Sequence, residues 1–394
     1  MTAPRAIPRR HDLDALRAIA MLAGVALHSA LAYSGLPWPV QDTRQHVAFA
    51  WFYLAVHGFR LPLFFLVSGF FTAMLWRKRG LRALVEHRAR RVLLPCLLAL
   101  VTVVPLVNWV SARASGAERG WAAANATAGS LVAQFIDRPV FHHLWFLWYL
   151  CWLVAAFALA ARVAERAGWN GPPRAPILSP ARYLWLVPLT MAPQWFMGEL
   201  YPSFGPDTST GVLPALPVLL YYAIFFLFGA LYFDCDDAAA RVGSRWRLTL
   251  PVGLLVLLPL GLAFAMVRPG EPGLVAQPLH RPLAVAIEVS YAWVMSFGLM
   301  GLFREMLRRE SRVLRYISDA SYWLYLAHVP LIIAAQAIVR DWPLPPVLKL
   351  ALVCGGVSGL LLLVYETSVR YTWLGTMLNG PRQRAPRVAA RAGS

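Results

Sequence analysis

Ten apolar stretches punctuate this 394-residue chain, each about as long as a bilayer is thick; they lie near 14–34, 48–76, 92–112, 142–161, 183–198, 213–233, 247–267, 282–303, 320–339 and 347–369. A helix rises about 1.5 Å per residue, so roughly 20 apolar residues cross the ~30 Å hydrocarbon core of a membrane. Inside that core only helices and closed barrels satisfy every backbone N–H and C=O. Stretches of this length read as helices. Composition agrees: 59% of residues are hydrophobic, 14% are charged and the mean hydropathy is +0.54, whereas soluble domains carry about 25% charged residues. The expected fold class is all-α, a polytopic membrane bundle of about ten transmembrane helices. The fifth stretch is the weakest, being short and broken by Pro188 and Pro193. The second is long, and tilt or a kink at Pro62 is expected to accommodate it.

A formal charge of +18 would suit nucleic acid if it gathered on one soluble face. Its distribution follows the membrane instead. With the N-terminus in the cytoplasm, the loops on that side hold 26 Lys and Arg residues and the opposite loops hold 7. The remaining four, Arg17, Arg60, Lys349 and Arg370, sit inside or at the edges of the stretches. This is the positive-inside pattern, and it predicts two cytoplasmic termini and no nucleic-acid partner. Residues 1–13 then form a cytoplasmic N-terminus, 14–370 the transmembrane domain, and 371–394 a cytoplasmic tail expected to be disordered, Arg-, Ala- and Pro-rich from Pro381. A cleaved signal peptide is disfavoured: Asp12, Asp14 and Arg17 crowd the junction, His28 interrupts the apolar run, and removing it spoils the charge alternation.

No phosphate-binding glycine loop, dinucleotide fingerprint or nucleophile elbow occurs, and none of the four cysteines forms a CxxC pair. No metal site and no permanently bound cofactor are expected. The chemistry must come from ionisable residues inside the stretches, which are costly there and mark functional sites.

Arg17 and His28 lie in the first stretch with ten residues between them. Eleven positions make about three helical turns, so both project from nearly one face, about 16 Å apart in depth. Asp14, one turn before Arg17, is placed to hold it in an i,i+3 ion pair. Anchoring and hydrogen-bonded packing are the plainer readings of Arg17 and His28. The second stretch brings His57 and Arg60 to a similar depth as His28, one turn apart. A salt bridge is the alternative there, and Ser68 and Gly69 read as a close-packing surface. Residues 77–91 hold seven basic residues, Arg77, Arg88 and Arg91 among them. Positive-inside anchoring explains part of that; clustered guanidiniums also grip phosphates in bidentate forks. The fourth stretch opens HHLWFLWYLCW. Its aromatics suit an interfacial belt or a stacking platform for sugar rings, with His142 or His143 as hydrogen-bond partners and His143 and Trp145 as candidates for the acceptor side or polar centre. Glu288 and His328 are further buried polar candidates, each open between packing and site.

The segment HDLDALRAIAMLAGVALHSALAY resembles the opening helix of acyltransferase 3 proteins, with a basic residue, ten intervening residues and a histidine. RARR, from Arg88 to Arg91, is similar to their R-x-x-R element. HGFRLPLFFLVSGFF, HHLWFLWYL and ASYWLYLAHVPLI look like the glucans biosynthesis protein C branch, and the resemblance runs in order from about residue 9 to 370. It implies an O-acyltransferase of the bacterial inner membrane. The acyl group, succinyl or acetyl, would pass from cytoplasmic acyl-coenzyme A, a co-substrate, to a hydroxyl of a periplasmic or cell-surface glycan. On that reading His28 is the general base, suited by imidazole's near-neutral pKa, with Asp14 and Arg17 beside it in the catalytic set. Arg17, Arg60, Arg77, Arg88 and Arg91 hold the donor, and His57, His143, Trp145, Glu288 and His328 form the acceptor side or polar centre. Membrane lipid is a further partner, and a homo-oligomer is open. The competing reading is a transporter or flippase using the same buried charges.

Overall fold

The computed structural model describes residues 10–115, 140–169, 171–198, 204–267, 273–307 and 311–382. Arg5, Arg9, Arg119, Arg138, Arg268, Arg308, Arg309 and the tail from 383, which entered the charge count, lie outside them. The described residues form helices and turns, with no strand among them. In chain order the helices are α1 (His11–Ala30), α2 (Val47–Arg88), α3 (Leu94–Ser115), α4 (Trp145–Arg166), α5 (Arg174–Leu178), α6 (Arg182–Gln194), α7 (Leu216–Asp234), α8 (Trp246–Val252), α9 (Leu258–Ala265), α10 (Gln277–Met306), α11 (Arg312–Val339), α12 (Pro346–Val364) and α13 (Trp373–Asn379).

Eight helical segments of the described residues are long and apolar enough to cross a membrane. One of them, Val47–Ser115, runs 69 residues, about 100 Å if straight. It is not straight. Helix α2 continues through Pro62 and breaks at Gly80, whose φ of 79° and ψ of 171° lie outside the helical region, so the expected kink falls at the glycine rather than the proline. Tyr53 and His57 near the start of this segment line the same cavity as Val107 and Ser111 near its end. The chain therefore folds back on itself, in two antiparallel passes.

The fifth apolar stretch is corrected in length. Helix α6 has only 13 residues, about 20 Å, and it runs through both Pro188 and Pro193 rather than breaking at them. It still links the two ends of the bundle. At its start Arg182 donates to the Val242 carbonyl (2.7 Å), beside the residues that pack around Arg10 and His11. At its end Gln194 donates to Gly205 O (3.0 Å), next to Pro206, whose carbonyl accepts from His57 Nε2 (2.8 Å).

The core is built on close helix contact. Helix α2 packs most extensively on α7, and α1 lies in a groove between α2 and α11. At the α2–α7 crossing a methyl on Gly69 would collide with the Phe226 backbone, and one on Gly229 with the Leu66 backbone; small residues here let the two backbones touch. Aromatic rings fill the remaining space, as where Trp293 stacks on Phe225 at 3.9 Å. The outward surface is apolar: Leu184, Leu255 and Leu159 are 80%, 75% and 68% exposed. An apolar girdle of that extent belongs against lipid.

Within the region after 370, expected to be disordered, residues Trp373–Asn379 form helix α13; those from 383 lie outside the described residues. Helix α13 is tied down by Asn379 Nδ2 donating to Asp319 O (2.7 Å) and by an Arg382–Asp319 ion pair (2.7 Å).

Candidate active site

Two of the cavities along helix α1 gather residues singled out in the sequence. The larger, 760 Å³, lies at the end of the bundle where α1 finishes and α2 begins. His28, His57, Arg60, His143, Trp145 and His328 all line it, so six residues scattered over 300 positions of sequence share one space. The His28 and His328 rings are 5.3 Å apart between centroids, and His143 and His328 5.2 Å.

Backbone carbonyls fix how three of these imidazoles present themselves, His57 through the Pro206 carbonyl already described. A carbonyl only accepts, so the ring nitrogen facing it carries the proton. His328 Nδ1 donates to Tyr325 O (2.7 Å) and Leu324 O (3.1 Å), which leaves Nε2 as the basic nitrogen. His143 Nε2 donates to Leu326 O (3.1 Å), which leaves Nδ1. Neither basic nitrogen has a partner among the described residues, and neither does His28 Nδ1. Three imidazoles thus offer unpaired nitrogens deep in an apolar bundle. Among the described residues no three His, Cys, Asp or Glu converge to hold a metal ion.

Residues that sequence reasoning missed hold His28 in place. Gln336 Nε2 donates to the carbonyls of His28 (3.1 Å) and Ser29 (3.0 Å), while its Oε1 accepts from Trp38 Nε1 (2.7 Å). Trp38 in turn stacks on the His28 ring at 5.5 Å, 24° from parallel. A glutamine within the apolar run of α11 was a usable signal. Trp38, in an irregular loop, offered none.

Arg60 lines the same cavity. No carboxylate pairs with it among the described residues, and its Nε has no hydrogen-bond partner there. Its guanidinium lies against α1 where Gly24 has no side chain; a Cβ at Gly24 would strike Nη1. Trp145 is 5% exposed and faces the cavity, whereas Trp152 is 42% exposed. The aromatic run therefore divides: its first residue belongs to the site and Trp152 to the lipid-facing belt.

The second cavity, 360 Å³, lies at the opposite end of α1. Arg17, Arg88, Arg91 and Arg382 line it, with His87, Asp319, Tyr322 and Asn379. Arg88 Nη2 donates to Thr72 Oγ1 (2.8 Å), and Tyr322 OH to Arg91 O (2.9 Å). Four guanidiniums around one carboxylate suit a ligand with several negative charges.

Three sequence assignments fall elsewhere. Asp14 makes the expected ion pair with Arg17, at 3.9 Å, but lines neither cavity, and about 21 Å of helix separates it from His28. Arg77 is taken up by Asp234 through two contacts of 3.0 and 2.8 Å and lies over the Trp76 ring at 4.1 Å; it is not part of the basic cavity. Glu288 is 4% exposed and accepts from Gln194 Nε2 (2.8 Å), holding α6 to α10, and does not line the histidine cavity.

Comparison with known proteins follows the same residues. The profile of the family described as "Acyltransferase domain" matches residues 10–366. Proteins named "Glucans biosynthesis protein C" from Salmonella agona (strain SL483) and Salmonella heidelberg (strain SL476) are each 26% identical, over 95% of this chain and 95% of their own length. No solved structure matches the chain. A sequence profile that takes in the histidine cavity, most of the basic one and nearly every helix places this multi-pass membrane protein in the acyltransferase family.

Proposed function

We propose that the protein moves an acyl group from acyl-coenzyme A at the cytoplasmic face to a hydroxyl of a periplasmic or cell-surface glycan. The observation that carries this reading is the sidedness of α1, which presents Arg17 to a basic cavity at one end and His28 to a histidine-lined cavity at the other. The basic cavity faces the cytoplasm on this reading, the side to which the positive-inside pattern assigns residues 77–91. Two passes in the 47–115 segment and one by the short α6 bring the crossings among the described residues to ten, an even number, consistent with two cytoplasmic termini in a bacterial inner membrane.

Arg88, Arg91, Arg17 and Arg382 receive the phosphates of the coenzyme. The thioester end extends toward His28, which takes the proton of the incoming glycan hydroxyl as that oxygen attacks the thioester carbonyl. The tetrahedral oxyanion collapses, the C–S bond breaks and the thiolate leaves toward the basic cavity. Arg60 is placed to meet the negative charge at the acyl group, either the oxyanion or a free carboxylate of a succinyl chain. The name of the relatives supports a glucan as acceptor. His143, His328 and Trp145 form the wall against which a sugar ring would lie.

The test uses inverted membrane vesicles, which expose the cytoplasmic face. Supplied with acyl-labelled coenzyme A thioester, they should transfer label to luminal glycan and release coenzyme A in step with it. Glycan movement across the membrane without thioester loss would instead identify a transporter.

A further inference from the structure

The two cavities share one wall residue. Among the described residues that line either space, Phe146 alone belongs to both. Its ring is 2% exposed and is met by neighbouring rings: Phe64 at 4.4 Å and 80°, Phe65 at 5.0 Å and 67°, and Tyr325 at 5.8 Å and 87°. Phe64 lines the basic cavity and Tyr325 the histidine cavity, so the ring stands between a wall of each. Its position is fixed from the site side as well. His143 lies three residues before it, and Tyr325 OH donates to His143 O (2.6 Å).

We propose that Phe146 is the partition between the two spaces and the residue that limits which acyl groups pass from donor to acceptor. The partition follows from packing alone; what passes it rests on the acyl-transfer reading above. A thioester whose phosphates stay among Arg88 and Arg91 reaches His28 only by slipping its acyl end beside this ring. A small acyl group needs a modest displacement of Phe146. A long one needs Phe64 and Tyr325 to move too, and close-packed interiors resist that. The ring also keeps water of the wider cavity from a waiting thioester. Were it absent, water would add to the thioester carbonyl, the C–S bond would break, and a carboxylic acid and the coenzyme thiol would form with no glycan acylated.

The experiment compares wild type with Phe146→Ala, Phe146→Leu and Phe146→Trp in proteoliposomes. One readout is independent of acyl transfer: the decay of an imposed pH gradient, followed by a trapped pH-sensitive dye. The alanine variant should collapse the gradient several-fold faster than wild type, leucine by a smaller factor, and tryptophan no faster. Leucine keeps most of the apolar volume, so it serves where alanine disturbs folding. The second readout is thioester hydrolysis without glycan and the range of acyl lengths transferred with it. Alanine should raise hydrolysis and extend the range; tryptophan should narrow it. Should wild type transfer acyl groups while alanine and leucine neither leak nor change hydrolysis and acyl range, the partition is overturned. Should alanine leak while wild type uses no thioester at all, the partition stands and the donor reading falls.

Discussion

Arg17 and His28 stand on the same side of helix α1, eleven residues apart, yet open into different cavities. One residue faces a basic chamber with Arg88, Arg91 and Arg382, the other a chamber of histidines. About 16 Å of helix separates them, a length that a phosphate-anchored, flexible thioester arm can cover.

Replacing His28 with alanine should reduce transfer by roughly a hundredfold to ten-thousandfold, the range for a lost general base. Binding of coenzyme A should persist, because the basic cavity is untouched. Both quantities can be read on one preparation. Normal transfer by well-expressed protein would remove His28 from the chemistry.

Arg88→Ala and Arg91→Ala should weaken coenzyme A binding about tenfold or more each, since hydrogen bonds to charged groups contribute about 1.5–3 kcal/mol. Arg77→Gln serves as the contrast. Its guanidinium is occupied by Asp234, so donor affinity should not change. Equal losses in all three variants, measured by calorimetry, would mean that general positive charge and not the cavity binds the donor.

Gln336→Ala releases two carbonyls on α1 and the indole of Trp38. Each neutral hydrogen bond contributes about 0.5–1.5 kcal/mol, and here they set the position of His28. The expected result is a lower kcat with unchanged donor affinity. A matching fall in donor affinity would show that Gln336 acts on the bundle as a whole.

Lys349 and Asp42 pair at 2.8 Å with side-chain exposures of 0% and 1%, and the ammonium also donates to Arg340 O at 2.6 Å. The pair ties the loop that carries Trp38 to the start of α12. Lys349→Met strands a buried carboxylate and should cost about 3–5 kcal/mol, read as a lower unfolding midpoint in detergent. Adding Asp42→Leu should recover much of that loss. A double variant less stable than either single one would contradict this account.

Gly24→Ala places a methyl where the Arg60 guanidinium rests. The flexible arginine should move aside rather than unfold the protein. Transfer of acyl groups bearing a free carboxylate should then fall more than transfer of acetyl, as it should in Arg60→Gln. Parallel losses for both donors would leave Arg60 with the oxyanion alone.

The sequence by itself determined the class of fold and the residues worth watching. Hydrocarbon offers no hydrogen bonds, so apolar runs of this length become helices whatever their neighbours, and a charge inside such a run stands out for the same reason. That logic found His28, His57, Arg60, His143, Trp145 and His328 before any contact was known. It failed where partnership decides the role. Glu288, left open between packing and site, and Arg77, in a loop that anchoring partly explains, are each matched by a residue far away in the chain, Gln194 and Asp234. The fifth stretch counts as a span on its apolar run alone, and the contacts at the two ends of its 13-residue helix α6 come from partners no local pattern names. Only the packing of α1 against α2 and α11, which brings histidines 300 positions apart to within 5.3 Å, settled which polar groups share a space. Periodicity records what a helix turns toward its neighbours, whereas the identity of those neighbours is a property of the whole bundle.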